Sequence, residues 1–265
     1  MRAYFINLDR APERRAWMTE SLARTPFPFE RIPAFDVLTE RDRLAKAFKH
    51  HDGTTATDVE MMICLSHISA WERFAATGEP AALFLEDDVH FSNNFVRVVE
   101  SIAIDRKEAA IWRLETFLGT VTAARRPAQQ LRGAAVYEIH TNHGGAAAYI
   151  LSRGMALSLL KQRRELRQVI DTELFDPDRR NIVVPKVYQC APAPCIQDWK
   201  LNAVPSEPFL ASTIGADRHD LIAGVDKPGA APIRMAKAAL RPLYRRAYSA
   251  VLALRGRRRI KIDYG

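Results

Sequence analysis

Three consecutive acidic residues, Glu86-Asp87-Asp88, directly follow a short apolar run at 81–85. The run is too short for a helix and does not alternate, which is typical of a strand that is covered on both faces. Residues two apart in an extended chain point to the same side, so Glu86 and Asp88 are predicted to share one side, while Asp87 points away or toward a ribose. The carboxyl ends of strands are where open α/β sheets bind ligands.

Carboxylate oxygens are the ligands that the hard cations Mg²⁺ and Mn²⁺ prefer, and such cations act as Lewis acids on phosphate oxygens. We therefore predict a metal site with Asp88 and Glu86 as ligands, completed by the diphosphate of a nucleotide-activated sugar that leaves during sugar transfer. The alternative is a solvated surface turn. Three like charges after a buried strand repel each other unless a cation is near, which favours the metal site.

Sugar transfer with inversion also needs a base that takes the proton from the acceptor hydroxyl. Asp171 and Glu173 are the candidates, and the alternative for the pair is a helix N-cap with an acid in the first turn. His67, within a predicted helix, is a third candidate, with a buried supporting role as its alternative. Arg113 alternates with Glu115 on a predicted strand, where the two either contact the donor or acceptor or form a cross-strand ion pair.

The elements that must position these residues alternate between strands and helices along the chain. An apolar run at 3–8 predicts a buried strand, and Pro12 opens a helical stretch to residue 23. Thr57 and Glu60 have capping-box spacing before a helix over 61–76. This alternation predicts an α/β fold with a Rossmann-type, mostly parallel sheet flanked by helices.

The net charge of +8 is concentrated at the end of the chain. Residues 231–265 hold ten Lys and Arg and one acid, so the other 230 residues hold 29 basic and 30 acidic side chains. This distribution argues against nucleic acid as a partner of the main body. We expect a domain at 1–230 and a basic, amphipathic, helical tail at 231–265, with the tail on the anionic inner face of the membrane.

The three cysteines lack the spacing of a zinc site, the first ten residues show no apolar h-region of a secretory signal, and the sequence has no stretch of 18 apolar residues. The predicted location is the cytoplasm, with a peripheral position on the inner membrane face through the tail.

Four sequence blocks in order resemble glycosyltransferase family 25, a family of bacterial lipooligosaccharide galactosyltransferase-like proteins. They are Phe5-Ile6-Asn7-Leu8-Asp9-Arg10 with Arg14-Arg15; Glu60 through Cys64-Leu65-Ser66-His67; Leu83-Phe84-Leu85-Glu86-Asp87-Asp88-Val89; and Gly145 through Tyr149 to Ala156, followed by Asp171. The likeness spans roughly residues 2 to 215. The sequence departs from the family pattern at Met62, where glycine is usual, and at Thr172, where a second acid is usual.

The resemblance implies a GT-A-like fold, a UDP-sugar donor with galactose favoured, and a saccharide or lipid-linked glycan as the acceptor. It places Asn7, Asp9 and Arg10 near the nucleotide, together with Glu86 and Asp87, and it places Asp88 at the metal. Two other functions stay open. One is a non-catalytic member that binds glycan or membrane, and the other is a metal-dependent nucleotidyltransferase, against which the absence of a Gly-rich phosphate loop with Lys argues.

Overall fold

A computed structural model of the chain describes residues 1–48, 53, 55–104, 108–141, 144–202, 204–211 and 251–265. The strands within these residues form one large sheet and two small ribbons. They are β1 (Arg2–Asn7), β2 (Phe29–Pro33), β3 (Ala81–Glu86), β4 (Val89–Phe91), β5 (Ala110–Arg113), β6 (Thr120–Ala124), β7 (Gln129–Gln130), β8 (Ala135–Glu138), β9 (Ala148–Ser152), β10 (Lys186–Ala191), β11 (Cys195–Gln197) and β12 (Arg257–Lys261).

The α-helices lie between these strands in the chain. They are α1 (Pro12–Ala23), α2 (Val37–Glu40), α3 (Asp42–Ala47), α4 (Asp58–Ala75), α5 (Phe95–Ser101), α6 (Arg153–Gln162), α7 (Ile170–Phe175) and α8 (Asp198–Leu201). The capping box predicted for α4 is present, because Thr57 Oγ1 accepts from the Glu60 backbone N–H and Glu60 accepts from the Thr57 backbone N–H. Glu60 is therefore a helix cap.

The large sheet has the strand order β2-β1-β3-β9-β5-β10-β8-β7. Strand β1 is parallel to both β2 and β3, and β10 is parallel to β5, whereas β9 is antiparallel to both of its neighbours. Six strands therefore run in one direction and β9 and β8 run in the other. The sheet is mixed but mostly parallel, as predicted, and Pro33 ends the edge strand β2, where its missing N–H is tolerated.

Apolar layers cover both faces of the sheet. Alternate residues of β1 divide between them, with Tyr4 and Ile6 in one cluster and Ala3 and Phe5 in the other. The first cluster includes the buried sides of α4 and α6, and the second those of α1 and α5. Burial of β1 and β3 on both faces explains why their sequences are continuous apolar runs.

The apolar run at 182–187 would suggest a strand there, but β10 begins only at Lys186, and the sequence pattern does not reveal the ribbon formed by β4 and β11. Strand β4 has only three residues and begins at Val89, directly after the acidic triplet, so no apolar periodicity marks it. The ribbon matters for function, because it brings Gln197 to the acidic residues.

The described end of the chain is helical at 251–254 and then forms a strand, so the helical tail predicted for 231–265 is wrong from residue 257 onward. Strand β12 pairs antiparallel with β6, and Ile262 beyond it is buried, with its carbonyl accepting a hydrogen bond of 2.5 Å from Thr116 Oγ1. The basic residues of β12 therefore form a strand attached to the main body. Most of the predicted tail, including the helix break at Arg241-Pro242, lies outside the described residues, and the boundary at residue 230 stays a prediction.

Candidate active site

The acidic triplet lies at one edge of the sheet, in a cavity of about 700 Å³. Parallel pairing brings the carboxyl ends of β1 and β3 together there, with Ile6 in register with Glu86. Seven of the residues predicted to act on ligands line this cleft, and they are Asn7, Arg10, His67, Glu86, Asp87, Asp88 and Asp171. Residues that are distant in sequence therefore converge at one cavity.

Asp87 is held by fixed donors. Its carboxylate accepts a hydrogen bond of 2.7 Å from Asn7 Nδ2 and an ion-paired hydrogen bond of 2.9 Å from Arg14 Nη1. Arg14 also donates to the carbonyl oxygens of Phe209 and Ala211, each at 2.8 Å. Burial raises the pKa of Asp87, and Arg14 and Asn7 offset only part of the rise. This acid joins the ends of β1 and β3 to α1 and the 208–211 segment.

Glu86 and Asp88 have a sparser set of partners. The side-chain amide of Gln197, on β11, lies 3.2 Å from Glu86 Oε2 and 3.2 Å from Asp88 Oδ1, so a single nitrogen bridges the two carboxylates. Burial, followed by the charges of Glu86 and Asp87, raises the pKa of Asp88 to about 7. The two acids predicted to share one side of the chain do converge on a common point.

This donor set fits a hard divalent cation. Two carboxylates converge on one point, and a cation would offset both the burial and the neighbouring negative charges that raise the pKa of Asp88. No group of three or more His, Cys, Asp or Glu side chains in the described part of the chain is arranged to hold a metal ion. A cation at this point would therefore need further oxygens from its ligand, such as those of a diphosphate.

Two neighbouring residues of α4, Ser66 and His67, line the same cleft with different partners. Ser66 Oγ accepts from the Phe35 backbone N–H at 2.9 Å and donates to the Met62 carbonyl at 2.8 Å, which braces the segment after β2. His67 Nδ1 lies 2.8 Å from the Tyr149 hydroxyl, and that oxygen also accepts from Trp71 Nε1 at 2.8 Å. His67 Nε2 lies 3.6 Å from Glu86 Oε1. His67 thus faces an acidic residue of the cleft from a fixed position.

Asp171 reaches the cleft from the first turn of α7. Its Oδ2 accepts a hydrogen bond of 2.8 Å from the Gly145 backbone N–H. Gly144 and Gly145 both have positive φ, a backbone conformation that favours glycine. A Cβ atom on Gly145 would lie 2.5 Å from Phe117 and 2.8 Å from Glu115, so only glycine fits between them.

Three predicted site residues do not line the cleft. Glu173 is fully buried and accepts from the backbone N–H groups of residues 167, 168 and 181 and from the Asn181 side chain. These hydrogen bonds order the chain on both sides of α7. Glu173 therefore has the structural role of an acid in the first turn of a helix, which was the alternative to a catalytic base. Asp9 is exposed and pairs with Arg31, which also donates to Asn7.

Arg113 is the third, and it is buried beneath the cleft rather than exposed in it. Its guanidinium lies 3.6 Å from Glu115 Oε1 and 4.7 Å from the centre of the Phe175 ring. Burial lowers the pKa of Arg113 to about 10 and raises the pKa of Glu115 to about 8. The structure therefore favours pairing of Arg113 with Glu115 over contact with a ligand, and the two residues follow each other at the end of β5 instead of lying across strands.

Several residues of the cleft carry no signal in the sequence that marks them as functional. Gln197 follows the acidic triplet by more than a hundred positions, and no local motif marks it. Much of the remaining lining is apolar or aromatic, and it includes Phe35, Val37, Leu38, Met62, Ile63, Phe117, Val169, Ile170 and Trp199. Such residues read as core in a sequence, because hydrophobic type alone does not distinguish a cleft wall from a buried face.

The sequence matches the family model described as glycosyltransferase family 25 (LPS biosynthesis protein) over residues 1–174. It is similar to the lipooligosaccharide biosynthesis protein lic2B of Haemophilus influenzae, with 25% identity over 82% of each chain. It is also similar to the lacto-N-neotetraose biosynthesis glycosyltransferase LgtB of Neisseria meningitidis, with 29% identity over 75% of each chain.

A further relative is the inactive glycosyltransferase 25 family member 3 of Mus musculus, which is 32% identical over 38% of this chain and 19% of its own length. The family model covers well over half of the sequence, including the strand ends that build the cleft, the acidic triplet and Asp171. The chain therefore belongs to glycosyltransferase family 25, and it is a glycosyltransferase.

Proposed function

We propose that the enzyme transfers a sugar, with galactose favoured, from a UDP-sugar to a saccharide or lipid-linked glycan acceptor in lipooligosaccharide, LPS or other cell-surface glycan synthesis. The observation that carries this proposal is a pair of carboxylates, the half-buried Glu86 and the buried Asp88, bridged by Gln197 at the carboxyl end of β3. The choice of uridine diphosphate and of galactose rests on the family resemblance.

Glu86 and Asp88 would hold Mn²⁺ or Mg²⁺, which supplies Lewis-acid stabilisation of the leaving diphosphate when it is bound. Arg14 adds positive charge beside the triplet, at 2.9 Å from Asp87. Arg10 lies at the same end, 2.5 Å from Asp36, next to the apolar side chains of Phe35 and Val37. This combination of a cationic group and an apolar wall suits a ribose and a flat base.

Asp171 is the proposed general base for an inverting transfer. One of its oxygens is fixed by the Gly145 N–H, which orients the carboxylate in the cleft. A base must have a defined direction as well as a suitable pKa, and this hydrogen bond supplies the direction. His67 is proposed to position Glu86, because its Nε2 is directed at that carboxylate while Tyr149 holds its Nδ1.

Attachment to the anionic inner membrane face through the basic tail is part of the same proposal, since it would place the cleft near lipid-linked acceptors. The described end of the tail carries Arg257, Arg258, Arg259 and Lys261, and Leu254 beside them is 89% exposed. Each basic residue near an anionic leaflet contributes about 1 kcal/mol. No helix among the described residues has the length and apolar character needed to span a bilayer.

Calorimetric titration of UDP with and without Mn²⁺ tests the metal site. We expect Mn²⁺ to tighten UDP binding by about tenfold or more, and Asp88→Asn to abolish that gain. Asp9→Asn is the matched control, because it removes an acid near the same strand end that does not line the cleft. UDP binding that is unaffected by Mn²⁺ and by Asp88→Asn would show that the metal-diphosphate mechanism is wrong.

A second candidate is a non-catalytic member that binds glycan or a membrane surface. It is favoured by the similarity to a family member named inactive and by Met62, which lines the cleft where the family pattern has glycine. This function predicts binding of glycans or liposomes without turnover of any UDP-sugar. Assays of a panel of UDP-sugars for transfer and hydrolysis separate it from the enzyme.

A further inference from the structure

The cleft has a second aromatic wall, apart from the Phe35 side, formed by Phe117 and Trp199. The two rings are perpendicular, with centroids 5.4 Å apart. Trp199 is 42% exposed although it borders a large cavity. An exposed indole that borders a cleft is a surface that a ligand with its own apolar face can cover.

Trp199 is held at a fixed distance from the carboxylates. It belongs to α8, whose first residue, Asp198, is buried and accepts hydrogen bonds from His90 Nε2 at 2.7 Å and Asn202 Nδ2 at 2.9 Å. The backbone N–H of Asp198 donates to the carbonyl oxygen of Asp88 at 3.0 Å. The indole is therefore one residue away from a main-chain hydrogen bond to the proposed metal ligand.

The rings are also constrained from the side by Lys200. Its ammonium lies 4.0 Å from the centre of the Trp199 ring and 4.7 Å from that of Phe117. Cation–π attraction to both rings favours the observed arrangement over other rotamers. A ligand that binds the open face of the indole would therefore meet a surface that is already ordered.

The proposed base lies beside this wall. Phe117 packs so closely on Gly144 and Gly145 that a Cβ on either glycine would approach its ring to 3.0 Å or less, and Asp171 bonds to the Gly145 N–H. A ring on the aromatic wall would therefore lie next to the Asp171 carboxylate. The Phe35 side of the cleft is left for the nucleotide.

We propose that Phe117 and Trp199 form the acceptor platform, on which the terminal pyranose of a glycan stacks with one hydroxyl directed to Asp171. A pyranose ring presents one face of C–H groups and a rim of hydroxyls, so an aromatic ring beside a carboxylate matches both of its surfaces. This inference rests on the proposed function, and it names the acceptor class as a pyranose-terminated glycan.

The test compares Trp199→Ala with Leu201→Ala, a matched control on the same helix with the same 42% exposure and no place in the cleft lining. Methyl pyranosides of galactose, glucose and N-acetylglucosamine serve as acceptors, with UDP-galactose as donor. We expect Trp199→Ala to raise the acceptor KM about tenfold or more, Trp199→Phe to restore most of the loss, and Leu201→Ala to change nothing. UDP affinity and acceptor-independent hydrolysis should stay unchanged in all three.

Saturation-transfer NMR of the same pyranosides gives a readout that does not require turnover. The platform predicts saturation transfer from the protein to the protons on one face of the pyranoside. This transfer should be lost in Trp199→Ala and kept in Leu201→Ala. If the parent protein binds no UDP but shows this pattern, the donor assignment fails and the platform stands. Unchanged acceptor KM, or unchanged NMR transfer, in Trp199→Ala overturns the platform.

Discussion

Asp87 and Asp88 are adjacent acids at the same strand end, yet their surroundings differ in kind. Asp87 is bonded by a guanidinium and a side-chain amide, whereas Asp88 shares one amide nitrogen with a second carboxylate. Asp171 and Glu173 on α7 differ in the same way. Glu173 accepts four hydrogen bonds away from the cleft, and Asp171 accepts one from the backbone and lines the cleft.

The comparison teaches that partner groups, rather than residue type, separate structural acids from acids available for ligands. A carboxylate whose lone pairs are already taken by fixed donors stabilises the fold and has little capacity left for a ligand. A buried, ionised carboxylate with few hydrogen-bond donors destabilises the fold, and a bound cation or proton removes that destabilisation. Four predictions test this distinction.

The largest effect is expected for Asp171→Asn. Removing the proposed base should lower kcat by about 100-fold or more, while UDP affinity and the free energy of unfolding change little. Transfer assays and urea unfolding measure the two effects. Asp176→Asn, at the other end of α7 and outside the cleft, is the control. A kcat within a factor of two of the parent enzyme would remove Asp171 from the mechanism.

Glu173→Ala should act on stability instead. It leaves three backbone N–H groups and the Asn181 amide without their acceptor, and we expect a loss of about 3 kcal/mol in the free energy of unfolding. Urea unfolding followed by circular dichroism measures it. If this variant is as stable as the parent but inactive, Glu173 is catalytic and the division between the two acids is wrong.

Asp87→Ala and Asp88→Asn test the pair after β3. The first leaves Asn7 and Arg14 without an acceptor and should cost about 2 kcal/mol of stability. The second removes a buried acid whose ionised form is disfavoured, so it should leave stability at neutral pH unchanged or raised while the Mn²⁺ effect disappears. Equal stability losses in both variants would contradict the assignment of different roles.

The smallest effect is expected in the pH dependence of stability. Burial raises the pKa of Glu115 to about 8, so between about pH 4.5 and 8 the folded protein holds a proton there that the unfolded chain has lost. Stability should therefore fall as pH rises through this window, by at most a few kcal/mol. Glu115→Gln, which keeps an acceptor for the Ala147 N–H, should flatten the curve measured by urea midpoints from pH 5 to 8.

A flat parent curve over that range would show that Glu115 titrates as an ordinary acid. Asp88, with its pKa raised to about 7, acts in the same direction, and added Mn²⁺ should reduce its share of the slope. The two contributions are separated by comparing Glu115→Gln with and without Mn²⁺.

Much of the fold could be predicted because the helix-start signals and apolar runs in the sequence match the helices and buried strands of the structure. Pro12 and the capping box at Thr57 marked helix starts that the structure retains. The apolar runs of β1 and β3 indicated burial on both faces, and both strands lie inside the sheet. The short strands β4 and β11 were not predicted, because a pattern of alternating apolar and polar residues cannot be recognised over three positions.

Contiguous residues were enough to predict the strand that leads into Glu86-Asp87-Asp88 and the helix that bears His67. They were also enough to identify the family. Only the tertiary structure decided which acids face the cleft. That choice depends on donors brought from distant segments, such as Gln197, Arg14 and Asn181, and no spacing along the chain reveals which donors will reach a given carboxylate. The same holds for Trp199, whose exposure in the cleft follows from where α8 is anchored.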